Sequence, residues 1–414
     1  MQLTIDAHYY NKLDIDGFSR MMKDPSYCYK FYWLEPIVQL ISENKTEATY
    51  NEIIDEMISN AWYSVIEFHI HLSGIWGEGG IKDNLERVVV KLRDLSGLEA
   101  NASKVEIKNA IKQFDKQLHA EKQALTHNVP YKALSGFANK SGEKISLDSS
   151  AGRMIAYYNK LSASDILLPY TFGNENGLNR KLSFNDDWVQ MIRDNTVAIL
   201  GWIQCEKVKW LQNNNPEVPG LIYKLAPLDE KMRKLSHVRK LWDGILDLRS
   251  IVDVFTNEPI DEEKYDVDHF IPWSFVMNDE LWNLMPMDSS LNSAKNNRLP
   301  DWNDFFIRFA KNQYIMYEMI HEREGIRKLY EACYKDNLHS IWANQELYRK
   351  GNSDTEFYGI LEKNMRPVYD SARRQGYDVW ERRLAVNEIL RERKRLAWQK
   401  IKLQNFKAVL LQLL

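Results

Sequence analysis

The chain has 414 residues, 44% of them hydrophobic and 27% charged, with only 18 Gly and 12 Pro; this balance excludes extensive disorder and supplies apolar surface for one large or roughly two to three ordinary domains. Its formal net charge of −3 excludes a uniformly basic nucleic-acid coat and confines any nucleic-acid footing to local patches. The three cysteines, Cys28, Cys205 and Cys333, are far apart and form no C-x-x-C pair, so neither a disulfide framework nor a zinc–thiolate site is expected, and a reducing cytoplasm is the natural compartment.

Met1-Gln-Leu-Thr-Ile-Asp6 lacks the basic lead and apolar stretch of a signal peptide, and no run approaches the roughly 18 apolar residues of a membrane span. No membrane partner is expected. Tyr29 to Ile41 packs Phe31, Tyr32, Trp33, Leu34, Ile37, Val38 and Leu40 into little more than three turns. Ile53 to Trp76 continues with apolar residues at three- and four-residue spacing, and both stretches are predicted as buried helices. Glu67, His69 and His71 invite a metal reading, but i, i+2 residues do not share a helical face, which favours a packed or solvated helix surface. Asn84 to Leu98 repeats the helical period with Gly97 as its stop, and Ser103-Lys-Val-Glu106 is a capping-box signature for a helix that runs toward His127 and is closed by Pro130.

Leu134 to Gly152 is rich in Ser, Gly and Lys, and Gly173-Asn-Glu-Asn-Gly177 is a second loop signal, which puts a domain boundary between Pro130 and Phe184. Asp186-Asp187 caps a predicted long helix through Leu211, broken by Asn213-Asn-Asn-Pro216. Asp229 to Val252 is again helical, and Lys224, Lys231, Arg233, Lys234, Arg239 and Lys240 form a basic stretch read as a DNA-backbone contact.

The chemistry concentrates in Tyr265 to Pro300. Tyr265-Asp-Val-Asp268 reads as a short strand, Phe270 to Leu281 as a looping excursion, and Trp282-Asn-Leu-Met-Pro286 as a second strand. Asp288-Ser-Ser290 offers N-cap candidates for a helix whose Asn292, Lys295 and Asn296 fall on one face. Hydrolysis of a phosphodiester needs a deprotonated water, a cation on the scissile phosphate and a stabilised leaving oxygen. His269 suits the first task, since neutral imidazole takes a proton near physiological pH. Asp268 and Asn292 suit the second, because a hard divalent cation such as Mg²⁺ uses one or two protein oxygens plus waters and phosphate. Adjacent strand residues point to opposite faces, so Asp268 and His269 share a site only if the chain bends between them.

After Pro300 the helical pattern returns over Asn303 to Tyr334 and Asp378 to Leu414. In the terminal stretch Glu381 to Leu414, Ile389, Leu396, Leu403 and Leu410 recur every seven residues, with Arg393, Lys400 and Lys407 in the same rhythm. Two readings stand side by side, a DNA-backbone rail and an amphipathic helix docked on the core. There is no internal repeat.

The segment resembles the HNH, or ββα-metal, nuclease motif, most closely the form in the nuclease module of RNA-guided CRISPR type II effectors. Tyr265-Asp-Val-Asp-His269, Pro272-x-Ser-Phe275, Asn283, Asn292-x-x-Lys295 and Pro300 carry the likeness. The resemblance implies His269 as general base, Asp268 and Asn292 as ligands of Mg²⁺ or Mn²⁺, Asn283 as the residue that holds the loop and so His269, and Lys295 beside the phosphate. It implies DNA as partner; Lys234, Arg239 and Lys240 of the basic stretch, with Lys295 and Arg298, are the expected nucleic-acid contacts. Many HNH modules carry C-x-x-C pairs for a structural zinc; here Val254-Phe-Thr-Asn-Glu-Pro259 stands in the first pair's place without cysteines. Packing must then hold the unit, with Phe255, Phe270, Trp273, Phe275, Trp282 and Phe305 as candidates. Residues 29 to 76 and the Pro216 stretch are similar to stand-alone bacterial HNH proteins of anti-phage defence, such as the Zorya type, which would add other defence-system proteins as partners.

The expected fold is mostly α with an embedded small α+β unit, a ββα-metal nuclease core flanked by helical domains. Its expected divisions are a helical N-terminal domain over 1–150, a helical linking region over 151–250, the nuclease domain over 251–305, and a helical C-terminal region over 306–414. The expected function is a metal-dependent DNA endonuclease that nicks as a monomer, in anti-phage defence. The alternative is a catalytically silent scaffold of the same shape that binds nucleic acid or regulates partners.

Overall fold

The structure is a computed structural model and describes residues 3–23, 25, 27–74, 83–138, 145–163, 166–225 and 233–381. It is mostly helical with small sheets. It divides into two compact units, Met1–Pro227 and Leu228–Leu414. The expected division at 150 therefore falls inside the first unit, and those at 250 and 305 fall inside the second.

In the first unit α1 (Ile15–Arg20) and α2 (Tyr29–Ser42) precede β1 (Glu47–Thr49). Next come α3 (Tyr50–Ile66), α4 (Asn84–Ser96), α5 (Lys104–Gln113), α6 (Asp115–Leu125), α7 (Val129–Lys132) and α8 (Ala151–Ser162). β2 (Tyr170–Phe172), β3 (Lys181–Phe184), α9 (Asp186–Asp194) and α10 (Thr196–Asn214) complete it. β3 lies between β1 and β2, antiparallel to both. Capping boxes open α3 at Thr49–Glu52 and α5 at Ser103–Glu106, and Gly97 ends α4 at a φ of 65°, a conformation that glycine adopts without a Cβ clash.

The long helix expected after Asp186 is two. At the junction of α9 and α10 Asn195 gives Met191 O two bonds, from its Nδ2 at 2.9 Å and its backbone N–H at 3.2 Å. The helix from Ser103 likewise breaks at Phe114, and Pro130 stands in the first turn of α7 rather than after a stop. α3 ends at Ile66, so Glu67, His69 and His71 lie in the turn beyond it. His71 Nδ1 is 2.9 Å from Glu86 Oε1, whose other oxygen accepts from Leu72 N at 3.0 Å; this is a structural tie. Among the described residues no group of three or more His, Cys, Asp or Glu side chains could hold a metal, and no helix is long and apolar enough to cross a membrane.

The second unit contains the motif. Its order is α11 (Ser236–Leu246), β4 (Tyr265–His269), α12 (Trp273–Val276), β5 (Leu284–Asp288), α13 (Ser289–Lys295), β6 (Leu299–Pro300), α14 (Trp302–Glu322), α15 (Glu324–Cys333), α16 (Asp354–Arg374) and β7 (Val379–Trp380). One continuous core joins the motif to α11, α14, α15 and α16. Phe255 packs edge-on against Phe305 and tilted against Trp380, each with ring centroids 4.8 Å apart, and Phe270 tilted against Phe309 at 4.6 Å. Of the expected packing aromatics, Phe255, Phe270, Phe275, Trp282 and Phe305 are buried and Trp273 is half-buried. Each buried ring stabilises the unit by roughly 1.5–3 kcal/mol relative to an exposed one, which supports the expectation that packing holds a fold without a zinc knuckle. β6 pairs in parallel with β7, Leu299 against Val379 and Pro300 against Trp380. The helix expected from Asp378 therefore begins as a strand, and the terminal stretch from 382 onward lies outside the described residues.

Candidate active site

β4 and β5 form an antiparallel pair in the register Tyr265↔Asp288, Asp266↔Met287, Val267↔Pro286, Asp268↔Met285 and His269↔Leu284. Alternation along β4 buries Tyr265, Val267 and His269 and leaves Asp266 and Asp268 half-buried on the other face. α13 packs on both strands on that face. Asn292 Nδ2 lies 3.2 Å from Asp266 Oδ2, and Lys295 Nζ lies 2.7 Å from Asp268 Oδ2. Two carboxylates, a carboxamide and an ammonium thus converge.

The helix is placed by two acids. Asp288 caps α13, accepting from Ser290 N at 2.9 Å and Leu291 N at 3.2 Å. The backbone N–H of Asp288 donates in turn to Asp253 Oδ2 at 3.0 Å, while Asp253 Oδ1 accepts from Phe255 N and Thr256 N, each at 2.9 Å. Asp253 is 2% exposed, and burial pushes its carboxyl up against the opposing pull of these three N–H donors. It ties the turn that stands in the place of the first cysteine pair to the junction of β5 and α13. A carboxylate and three amides do there what a structural metal does elsewhere.

His269 is 1% exposed. Its Nε2 lies 3.1 Å from both Asn278 O and Asp279 Oδ1, two acceptors, so Nε2 carries the proton and Nδ1 keeps the lone pair. Arg233 Nη2 stands 3.5 Å from Nδ1. Burial raises the Asp279 carboxyl, but the adjacent His269 Nε2–H, the bond from Lys234 N (2.7 Å) and the charge of Arg233 outweigh it and hold the group below the usual carboxylate range. Asn283, fully buried, exchanges two 2.8 Å bonds with Ile271, Oδ1 accepting from its N–H and Nδ2 donating to its carbonyl, while its own carbonyl accepts from Phe270 N. That double tie fixes the chain just past His269.

The structure brings Asp268, Asn292 and Lys295 to one face, with Asp266 beside them. His269 is on the other: the ladder runs straight through His269↔Leu284, and the chain bends only at Phe270. Asn296 is off the helical face expected for it, since it ends α13 at a φ of 48°. The expected nucleic-acid contacts fall into two groups. Arg239 folds back on Tyr265, its guanidinium 3.6 Å from the ring centroid and donating to the Tyr265 carbonyl, and Arg298 closes the end of α13 by donating to Ala294 O and Lys295 O. Lys234 and Lys240 are exposed, the first 3.4 Å from Asp336 Oδ1. Lys224, included in the basic stretch, is fully buried and its ammonium is lowered by burial to about 7, so it offers DNA nothing. Lys231 lies outside the described residues.

Asp266, Asp253 and Asp279 were not singled out as site residues by sequence, and Arg233 was read only as part of the basic stretch. A two-residue alternation in Asp266-Val-Asp268 signals that both acids share a face, but nothing local distinguishes Asp253 or Asp279 from solvated turn acids.

The donor set suits a hard cation. Asp266 Oδ1, Asp268 Oδ1 and Asn292 Oδ1 accept no hydrogen bond among the described residues, and all three are the oxygen ligands that Mg²⁺ or Mn²⁺ takes. Neither the curated proteins nor the solved structures include a match to this chain. Residues 253–301 match the HNH endonuclease family model, and this segment is therefore similar to nucleases that hydrolyse nucleic acid.

Proposed function

We propose that the chain is a divalent-metal-dependent DNA endonuclease that cuts one strand per site. The observation that carries this reading is the convergence of Asp268, Asn292 and Lys295 on one face of a strand pair that ends in His269. Asp268 and Asn292, with Asp266 beside them, would hold Mg²⁺ or Mn²⁺, which when bound supplies charge neutralisation at the scissile phosphate and the leaving oxygen.

The chain's own residues do the rest. His269, the last residue of β4 and on the face opposite Asp268, would take a proton through Nδ1 from a water that reaches it around the strand end, while Asn278 O fixes the tautomer by accepting from Nε2 beside the Asp279 carboxylate. Asn283 keeps the ring in place through Ile271. Lys295 balances the Asp268 carboxylate at rest and turns its ammonium to the phosphate when DNA is bound. Of the cations expected to meet the DNA backbone, Lys234 and Lys240 remain exposed. A place in anti-phage defence enters this proposal only through the resemblance of residues 29 to 76 and the Pro216 stretch, and it adds no step to the chemistry.

The nearly complete burial of His269 favours one second reading, a silent scaffold that binds DNA without cutting it. Plasmid nicking separates the two. The intact chain with Mg²⁺ or Mn²⁺ is expected to relax supercoiled DNA, and His269→Ala to lose about 10²- to 10⁴-fold in rate, the usual worth of a positioned base. Equal rates for the two proteins would remove His269 from the chemistry.

A further inference from the structure

We propose that Arg233 is the gate of this site: at rest it caps His269 Nδ1, and it exchanges that position for a backbone phosphate when a DNA duplex enters. The role given to His269 rests on the nuclease reading above; the gate and its trigger go beyond it.

Water cannot act at Nδ1 while the ring is 1% exposed, so some group must move. The backbone beside Arg233 is not that group. Lys234 N donates to Asp279 Oδ2 at 2.7 Å, and Asn337, fully buried, donates through Nδ2 to both Lys234 O and Asp279 O. A fourth tie runs from Leu281 N to Asn337 O at 2.7 Å. These bonds clamp the main chain ahead of α11 onto the Asn278–Leu281 loop.

The Arg233 side chain is held far less firmly. Its Nη2 reaches Nδ1 at 3.5 Å, the outer limit of a hydrogen bond, its Nε lies 3.9 Å from Asp279 Oδ1, and its guanidinium sits 5.8 Å from the Trp273 ring centroid. The side chain is 43% exposed. Arg239 and Arg298 differ, since both donate to backbone carbonyls. Arg233 is thus a cation in three weak contacts at the mouth of the base. A phosphate offers it a bidentate, charge-assisted pair, which is stronger than any of the three. The exchange frees the Nδ1 lone pair by a side-chain rotation, with no loop opening, and couples exposure of the base to the presence of substrate.

Two measurements test this without relying on cleavage. In the first, His269 of the intact protein is carbethoxylated with diethyl pyrocarbonate and read by mass spectrometry, with His237, 31% exposed, as internal control. Arg233→Ala and Arg233→Gln are expected to speed labelling of His269 by about tenfold, as removal of a protecting group does, and to leave His237 unchanged. In the second, binding of a roughly 20-bp duplex is followed in EDTA against salt; both variants are expected to lower the slope of log Kobs on log salt by about one, the loss of one phosphate contact. An unchanged labelling rate or an unchanged slope overturns the gate. Nicking assays read the parent proposal separately. If no protein nicks while labelling and slope move as expected, the nuclease reading fails and the cap stands; if the wild type nicks and neither moves, the gate alone fails.

Discussion

Lys295→Met removes the ammonium facing Asp268 while keeping the length of the apolar stem. Lys295 Nζ stands 2.7 Å from Asp268 Oδ2, with the two side chains 1% and 15% exposed. At that separation two unit charges attract by about 6 kcal/mol at an effective dielectric of 20, and desolvation of both ions offsets much of it. Removing one partner of a buried pair strands the other and costs about 3–5 kcal/mol; the wetted edge of Asp268 argues for about 3. For a unit of this size that corresponds to a fall in Tm of about 6–12 °C.

The assay is thermal melting of the full chain, with and without roughly 10 mM Mg²⁺. In Lys295→Met the carboxylates have lost their resident cation, so Mg²⁺ is expected to restore about 1–2 kcal/mol if it binds near 1 mM. The double variant Asp268→Asn/Lys295→Met has no stranded charge and is expected to recover stability and lose the Mg²⁺ response. A Lys295→Met protein that melts with the wild type, or whose Tm ignores Mg²⁺, would falsify the view that this ammonium holds the place of a bound cation.

Asp253→Ala removes the acceptor of three N–H groups and is expected to cost about 3 kcal/mol at roughly 1 per bond, read by denaturant melts. The folded chain holds the Asp279 carboxyl below its ordinary range, so as pH falls the unfolded chain binds the proton first. The stabilisation is then full above the ordinary carboxyl pKa of about 4 and is lost below it. Asp279→Asn is expected to flatten this acid limb of the stability profile, and an unaltered limb would place the proton uptake elsewhere.

Much of the site was legible from spacing. The two strands and the capped helix were expected within a residue or two of β4, β5 and α13, because alternation, Pro272, and Asp288 before an apolar period are local signals. Asp268, Asn292 and Lys295 converge for the same reason: a strand pair followed at once by a helix leaves few ways to arrange them. The partners of His269 were not legible. Arg233 and Asn337 meet the Asn278–Leu281 loop from distant points of the chain, and no local pattern announces such encounters. Asp253 was hidden for a different reason: a lone acid in a turn is usually solvated, and only the packing of Phe255 between Phe305 and Trp380 draws this one inside. At the break at Asn195 the side chain and the backbone N–H both bond Met191 O, a local arrangement that apolar periodicity does not register.

The parallel pairing of β6 with β7 sets the order in which this protein can be finished. A nascent chain carries every motif residue once Pro300 has left the ribosome, yet Leu299 N and Asp301 N have no partners until Asp378 and Trp380 follow. The floor of the motif, where Phe255 meets Trp380, stays open to water for that interval. The segment that matches the HNH endonuclease family model is therefore much shorter than the piece that can stand by itself, and a transplant of 253–301 into another host protein would carry the motif residues without their closure.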